Sequence, residues 1–202
     1  MATEGSETKN GNGVDVLDLL QADHRQVEEL VDDFEAAEDE SEQLELAQQI
    51  CTALTVHAEV EEEIFYPAVR EALGEEAEDL LAEAEVEHGS AKDLIAQVEA
   101  SEPDDPLFKA QVKVLGEYVK HHVREEENEL FPRVRESGLD REELGRRAQS
   151  LRQELLADQA DAGETDGDDL ETDDEAPDED EEVSVTPPKG SRSAEGRRPA
   201  AR

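Results

Sequence analysis

The sequence predicts an all-α protein: an antiparallel up-down-up-down four-helix bundle made of two repeated helical hairpins, with an additional C-terminal helix and a disordered tail. Three observations predict it. Apolar residues recur at intervals of three and four, turn-forming residues interrupt them at regular distances, and no stretch shows the sustained β-branched alternation of a strand.

Leu17, Leu20, His24, Val27, Val31 and Phe34 line one face of the first helix. Leu46, Ile50, Leu54, His57, Glu61 and Ile64 form the second stripe, and Ala77, Leu81, Ala84, His88, Ala91, Ile95 and Val98 the third. Phe108, Val112, Leu115, Val119, His122, Glu126 and Leu130 form the fourth. The separators are the acidic EDESEQ at 38–43, Gly74, the SEPDDP turn at 101–106 and Gly138. Short connections between long helices make consecutive helices antiparallel neighbours. A fifth helix is predicted from Arg141 to about Leu156, packed on the bundle's side or extending outward. Pro67 and Pro132 are expected to kink or end their helices.

The charge of −39 divides the 202 residues into parts. Residues 158–182 hold 15 acidic and no basic residues, and residues 189–202 hold five basic and one acidic. Dense like charge and low hydrophobicity cannot offset chain entropy, so 158–202 is predicted to be a disordered acidic, then basic, tail. Residues 14–157 form the predicted folded domain, after a flexible N-terminus at 1–13. The DGDDLETDDE run lacks the central Gly and terminal Glu of an EF-hand loop. The acidic domain disfavours nucleic acid, since phosphate contacts need clustered Lys and Arg. No apolar run reaches the roughly 20 residues of a membrane span, and the N-terminus lacks a signal-peptide pattern, so a cytoplasmic protein is expected. With Cys51 alone, an internal disulfide and a thiolate metal cluster are excluded.

Each stripe is interrupted by ionisable residues where a bundle wants Leu, and buried imidazoles and carboxylates need partners. They occur in duplicate. HAEVEEEIFYP (57–67) aligns with HVREEENELFP (122–132) at an offset of 65, and DHRQVEEL (23–30) with EHGSAKDL (87–94) at an offset of 64. Each hairpin therefore carries a lone His on its first helix and an H-x-x-x-E pair, which shares one helix face, on its second. Measured from the turns at about 1.5 Å per residue, all four His lie within roughly 6 Å of one level. One such His would be read as a hydrogen-bonded structural imidazole; four at matched repeats with two Glu read as a site. Imidazole with carboxylate is a borderline donor set, and two symmetric sets suggest two metals. The candidate ligands are His24, His57 and Glu61 for one, and His88, His122 and Glu126 for the other, although a pairing crossed between hairpins is equally compatible with the spacing. Three protein ligands per metal leave positions for water, an oxo or hydroxo bridge, or a small exogenous ligand.

The order H (24), H-x-x-x-E (57, 61), H (88), H-x-x-x-E (122, 126), with Tyr66-Pro67 and Phe131-Pro132 following, resembles the hemerythrin-like, HHE cation-binding domain family over about residues 14–136. The resemblance implies a four-helix bundle holding a non-haem di-iron centre, with O2 binding, oxygen, redox or iron sensing, or peroxide decomposition as functions. Oxygen-carrying members have H-x-x-x-H in the third helix, where this chain has Lys92, and H-x-x-x-x-D in the last, where His122 is followed by Glu126. These departures favour chemistry with, or sensing of, O2, peroxide or NO over transport. A non-catalytic iron-responsive or scaffolding module is the alternative, and protein partners are not legible.

Among neighbouring residues, Glu62 and Glu127 are candidates to orient the imidazoles, or are solvated. His121 lies on the flank with Val114, Tyr118 and Glu125, has Val56 as its repeat counterpart, and is expected to be exposed or interfacial, with a ligand role as the alternative. Tyr66 and Tyr118 are expected as core or rim aromatics, and Phe34, Phe65, Phe108 and Phe131 as core. Cys51 is expected to be a small buried apolar residue, an exposed sensor thiol being the alternative.

Overall fold

The computed structural model describes residues 13–164. Most of the predicted N-terminal segment, and the predicted tail beyond Glu164, lie outside them. Helix α1 spans Val16–Ala36 and α2 spans Glu40–Val60. A π-helical turn, Glu61–Phe65, leads into α3, Tyr66–Leu73. Helix α4 spans Glu78–Glu99 and α5 spans Phe108–Glu125, after which a second π turn, Glu126–Leu130, leads into α6, Phe131–Glu136. Helix α7 spans Arg141–Glu164, seven residues past the expected domain end at 157. Among the described residues there is no strand, and no helix is long and apolar enough to cross a membrane.

The helix starts follow from local chemistry. The side chain of Asp15 accepts from Leu17 N–H, and Asp39 accepts from Ser41 and Glu42 N–H, satisfying donors that the first turn leaves free. Asp105 and Asp140 do the same for Leu107 and Glu143. The stops at Gly74 and Gly138 take φ of +54° and +77°, a region glycine enters without steric cost.

Helices α1, α2, α4 and α5 pack as a ring: α1 on α2, α2 on α4, α4 on α5 and α5 on α1. The core is divided along its length. Leu17, Leu20, Val60, Phe65, Leu81, Leu130 and Phe131 form one apolar cluster, and Val27, Val31, Ile50, Leu54, Ile95, Phe108 and Val119 form the other. Along each helical path the His lies where the core passes from one cluster to the other, on α5 just before the turn that carries Leu130, so the ionisable layer crosses the bundle between them.

The prolines do not end their helices. Both helical paths continue, to Leu73 and to Glu136, because each proline follows a π turn in the first turn of the next segment. A proline ring clashes with the carbonyl four residues back and lacks an N–H, and the wider turn accommodates both. The turn is closed by Tyr66 N–H donating to Glu61 C=O, and by Phe131 N–H donating to Glu126 C=O. Both π turns therefore begin at the Glu of an H-x-x-x-E pair.

Helix α7 packs on α1 and α2, which decides between the two expected placements. Its own Leu144 and Ala148 are buried in the contact. Gly145 lies so close to the chain before α1 that a Cβ there would overlap the Val14 carbonyl oxygen. Backbone cannot give way as a flexible side chain can. Gly145→Ala is therefore expected to lower stability by about 1–3 kcal/mol, measured by urea denaturation.

Candidate metal centre

Six side chains meet in the layer between the two apolar clusters. His24 comes from α1, His57 from α2, His88 from α4 and His122 from α5, while Glu61 and Glu126 open the two π turns. All six are buried, Glu61 completely.

Glu61 is shared. Its Oε2 lies 3.3 Å from both His57 Nε2 and His88 Nε2, and 3.8 Å from His122 Nε2. His24 Nε2 lies 3.3 Å from Glu126 Oε2, and the Nε2 atoms of His88 and His122 are 3.3 Å apart. Two donor sets result, each with one atom per residue inside 4.8 Å: His24, His57, Glu61 and Glu126, and Glu61, His88 and His122. Glu126 thus groups with His24 and His57, not with His88 and His122 as its own hairpin suggested. The arrangement is the crossed one: α5 packs on α1, so a carboxylate one turn past His122 faces His24.

Every imidazole presents Nε2 to the layer, with a carboxylate at Nδ1. His24 Nδ1 is 2.9 Å from Glu127, His88 Nδ1 is 3.0 Å from Glu62, His122 Nδ1 is 2.9 Å from Glu87, and His57 Nδ1 is 3.7 Å from Asp23. Such partners fix the tautomer and orientation of an imidazole ligand. Glu62 and Glu127 were candidates for this place from their position beside Glu61 and Glu126, with a solvated position as the alternative. Asp23 and Glu87 were missed; each immediately precedes a lone His, and the pairing of DH with EH in the repeat was the available signal.

A basic side chain stands behind each of these carboxylates. Arg25 pairs with Glu127 at 2.6 Å, Lys92 with Glu62 at 2.7 Å, and Arg152 with Asp23, while His121 lies 3.6 Å from Glu87. Lys92 therefore points to Glu62 and not into the layer. His121 is exposed, outside the layer, where it lies near Glu83 and Glu125. Burial tends to raise Glu62, Glu87 and Glu127, but their His, Lys and Arg partners outweigh it and hold all three carboxyls below the ordinary value.

The repeat is broken at the residue before each proline. Tyr66 is buried, and its hydroxyl donates to Glu61 Oε2 at 3.1 Å and lies 3.4 Å from His88 Nε2. Phe131, its counterpart, stacks on His24 with centroids 6.0 Å apart. Burial, reinforced by Glu126 and Glu61, keeps the Tyr66 phenol well above its ordinary value. Tyr118 is a rim residue and half exposed. Cys51 is buried, and burial pushes its thiol up to about 12, so a sensor role is not supported.

The donors fit a cation better than they fit one another. His24 Nε2, His57 Nε2, Glu61 Oε1 and both Glu126 oxygens are buried with no hydrogen-bond partner, although several lie near 3.3 Å from each other. Proximity without bonding geometry leaves lone pairs converging on one volume, at about 1–3 kcal/mol for each unsatisfied group. Burial and the Glu61 charge raise Glu126, whereas for Glu61 burial is outweighed by His57, His122 and His88, which hold it well below the ordinary value. Burial lowers His122, but Glu61, Glu87 and Glu126 outweigh it and bring it to about 10. His24 and His88 are raised by their carboxylates in the same way.

A helical bundle with a buried imidazole and carboxylate layer defines a class: cation-binding four-helix proteins. Residues 15–134 match the hemerythrin HHE cation-binding domain family, and the chain belongs to that family. It is 36% identical over 133 residues to a protein of Nostoc sp. (strain PCC 7120 / SAG 25.82 / UTEX 2576) named DNA nickase, over 66% of this chain and 36% of that one. The chain thus spans about a third of that relative's length. A crystal structure of a hemerythrin HHE cation binding domain-containing protein from Mycobacterium kansasii superposes with a TM-score of 0.65. At 21% identity over 76% of this chain and 94% of that one, it shares the fold.

Two outcomes follow from the geometry. Because Glu61 serves both donor sets, Glu61→Ala is expected to abolish metal at both, whereas Glu126→Ala leaves the His88 and His122 set loaded; elemental analysis distinguishes them. Because His24, His88 and His122 hold protons more tightly than a free imidazole, a cation must displace those protons. Metal affinity is expected to fall as pH is lowered and to rise toward pH 10, with protons released on binding, measured by calorimetry in buffers of different ionisation enthalpy.

Proposed function

We propose that this chain is a non-haem di-iron protein that binds, senses or decomposes a small oxidant, O2, peroxide or NO. His24, His57, Glu61 and Glu126 would hold one iron, and Glu61, His88 and His122 the other. The observation that carries the reading is the set of buried, partnerless nitrogen and oxygen atoms converging around a shared Glu61. Mixed imidazole and carboxylate donors suit iron among the first-row metals. Iron bound there would supply redox chemistry and affinity for diatomic ligands and peroxide.

The protein's own residues restrict what can reach the centre. A cavity of about 40 Å³ adjoins the imidazoles and is lined by Val27, Leu54, Ile95, Val119 and Val123. Its free surface is mostly apolar and it has room for a water-sized molecule, which favours a small ligand such as O2 or NO. The Tyr66 hydroxyl supplies a proton donor at Glu61 and His88, and its neutral form is held by burial. The strongly acidic domain repels phosphate, which argues against DNA as its substrate.

A second reading, a non-catalytic iron-responsive module, draws on one observation: the Nostoc relative carries the matching region within a much longer chain. Protein from iron-rich growth is expected to hold about two Fe per chain, with near-ultraviolet bands that change on adding peroxide or azide. Absence of iron and of such bands would sink the first reading, and peroxide loss no faster than with free iron would favour the second. Val119→Phe, which fills the cavity, is expected to leave iron content unchanged and to slow the spectral response at least tenfold.

A further inference from the structure

Three of the four carboxylates at the imidazoles are backed by side chains from the bundle itself: Arg25 on α1, Lys92 on α4 and His121 on α5. The fourth is not. Asp23 is backed by Arg152, which belongs to α7, outside the repeat. Arg152 lies one turn past Ala148, on the face that α7 buries against α1 and α2. Its other guanidinium nitrogen lies 3.4 Å from Gln26 Oε1.

This pair has a geometric consequence at the centre. Asp23 is buried, and its two oxygens face different ways: Oδ1 accepts from Arg152, and Oδ2 stands 3.7 Å from His57 Nδ1. The other three imidazoles have their carboxylates at 2.9–3.0 Å, and His57 Nδ1 is left with no hydrogen bond. A groove of about 390 Å³, lined by Gln26, Gln48, Gln49 and Thr52, runs over the pair, so water reaches Arg152. Without the guanidinium, the Asp23 carboxylate is free to turn into that groove and away from His57.

We infer that Arg152 is a positioning residue for the metal centre, acting through Asp23 on His57, and that docking of the fifth helix and metal binding are thereby coupled. The coupling is reciprocal: whatever strengthens the docked helix strengthens the centre, and a cation in the centre holds the helix down. The inference rests on the centre binding metal, as proposed above.

The test is Co²⁺ titration, read by absorbance, of the metal-free full chain and of Arg152→Ala, Arg152→Lys, Asp23→Asn and the double variant Asp23→Asn plus Arg152→Ala. Arg152→Ala is expected to weaken Co²⁺ binding about tenfold, the lower end of the effect of losing a group that orients an imidazole ligand. Arg152→Lys recovers part of the loss. Asp23→Asn weakens binding by itself, and adding Arg152→Ala to it changes affinity no further, because both act on one path. Hydrogen exchange along α7 slows on Co²⁺ addition in the parent chain but not in Arg152→Ala. A lower melting temperature with unchanged Co²⁺ affinity would show that Arg152 only pins the helix, and additive losses or tighter binding would equally overturn the coupling. If the parent chain bound no Co²⁺, the metal-binding reading itself would fail, an outcome separable from a parent that binds and a variant that binds equally well.

Discussion

The rest of the structure answers to one constraint: four imidazoles and two carboxylates occupy a layer that a helical bundle would fill with leucine. An unpaired buried charge costs several kcal/mol, while burying a large apolar side chain contributes about 1.5–3 kcal/mol. The layer is therefore tolerable only between strong apolar clusters and with partners for every polar atom. Phe65, Phe131 and Leu130 on one side, and Phe108, Leu115 and Ile50 on the other, are fully buried and supply the first condition. The converging, partnerless atoms leave the second to a group from outside the chain, and the clusters around Glu61 could hold a cation.

Charge alternates outward from that layer. Inner carboxylates and imidazoles come first, then Asp23, Glu62, Glu87 and Glu127 at the Nδ1 atoms, then Arg25, Lys92, Arg152 and His121 behind them. The imidazoles of His24, His88 and His122 are oriented by hydrogen bonds to the carboxylates behind them, whereas His57 Nδ1 faces Asp23 without one. The two π turns belong to the same arrangement. By opening at Glu61 and Glu126 they turn Glu61, Phe65 and Tyr66 inward together, and likewise Glu126, Leu130 and Phe131, so carboxylate and aromatic lid come from consecutive turns of one helix.

The six inner residues were legible because repetition is visible in one dimension. A single His on an apolar face carries little information, but His24 and His88, and His57 and His122, recur with their flanking residues at nearly equal offsets. Asp23 and Glu87 were harder to see, because in this acidic chain a carboxylate beside a His is unremarkable by itself and its direction depends on the neighbouring helix. That the prolines distort their helices without ending them was hidden for a related reason. Proline rules apply to a regular α-helix, and the wider turn before Pro67 and Pro132 changes which carbonyl each ring would strike. Tyr66 was assignable to the core or rim from its pattern, but its hydroxyl reaches His88 only because α3 lies beside α4.

The sequence by itself determined the helical class, the family and the six inner side chains, since periodicity and repetition are properties of the chain in order. The tertiary structure decided which of those side chains share a volume. Glu126 joins His24 across the hairpins, Lys92 turns outward to Glu62, and α7 lays Arg152 against Asp23. Helical spacing specifies a face but not the helix it meets, and these pairings depend on the order of helices around the ring and on where the fifth helix docks.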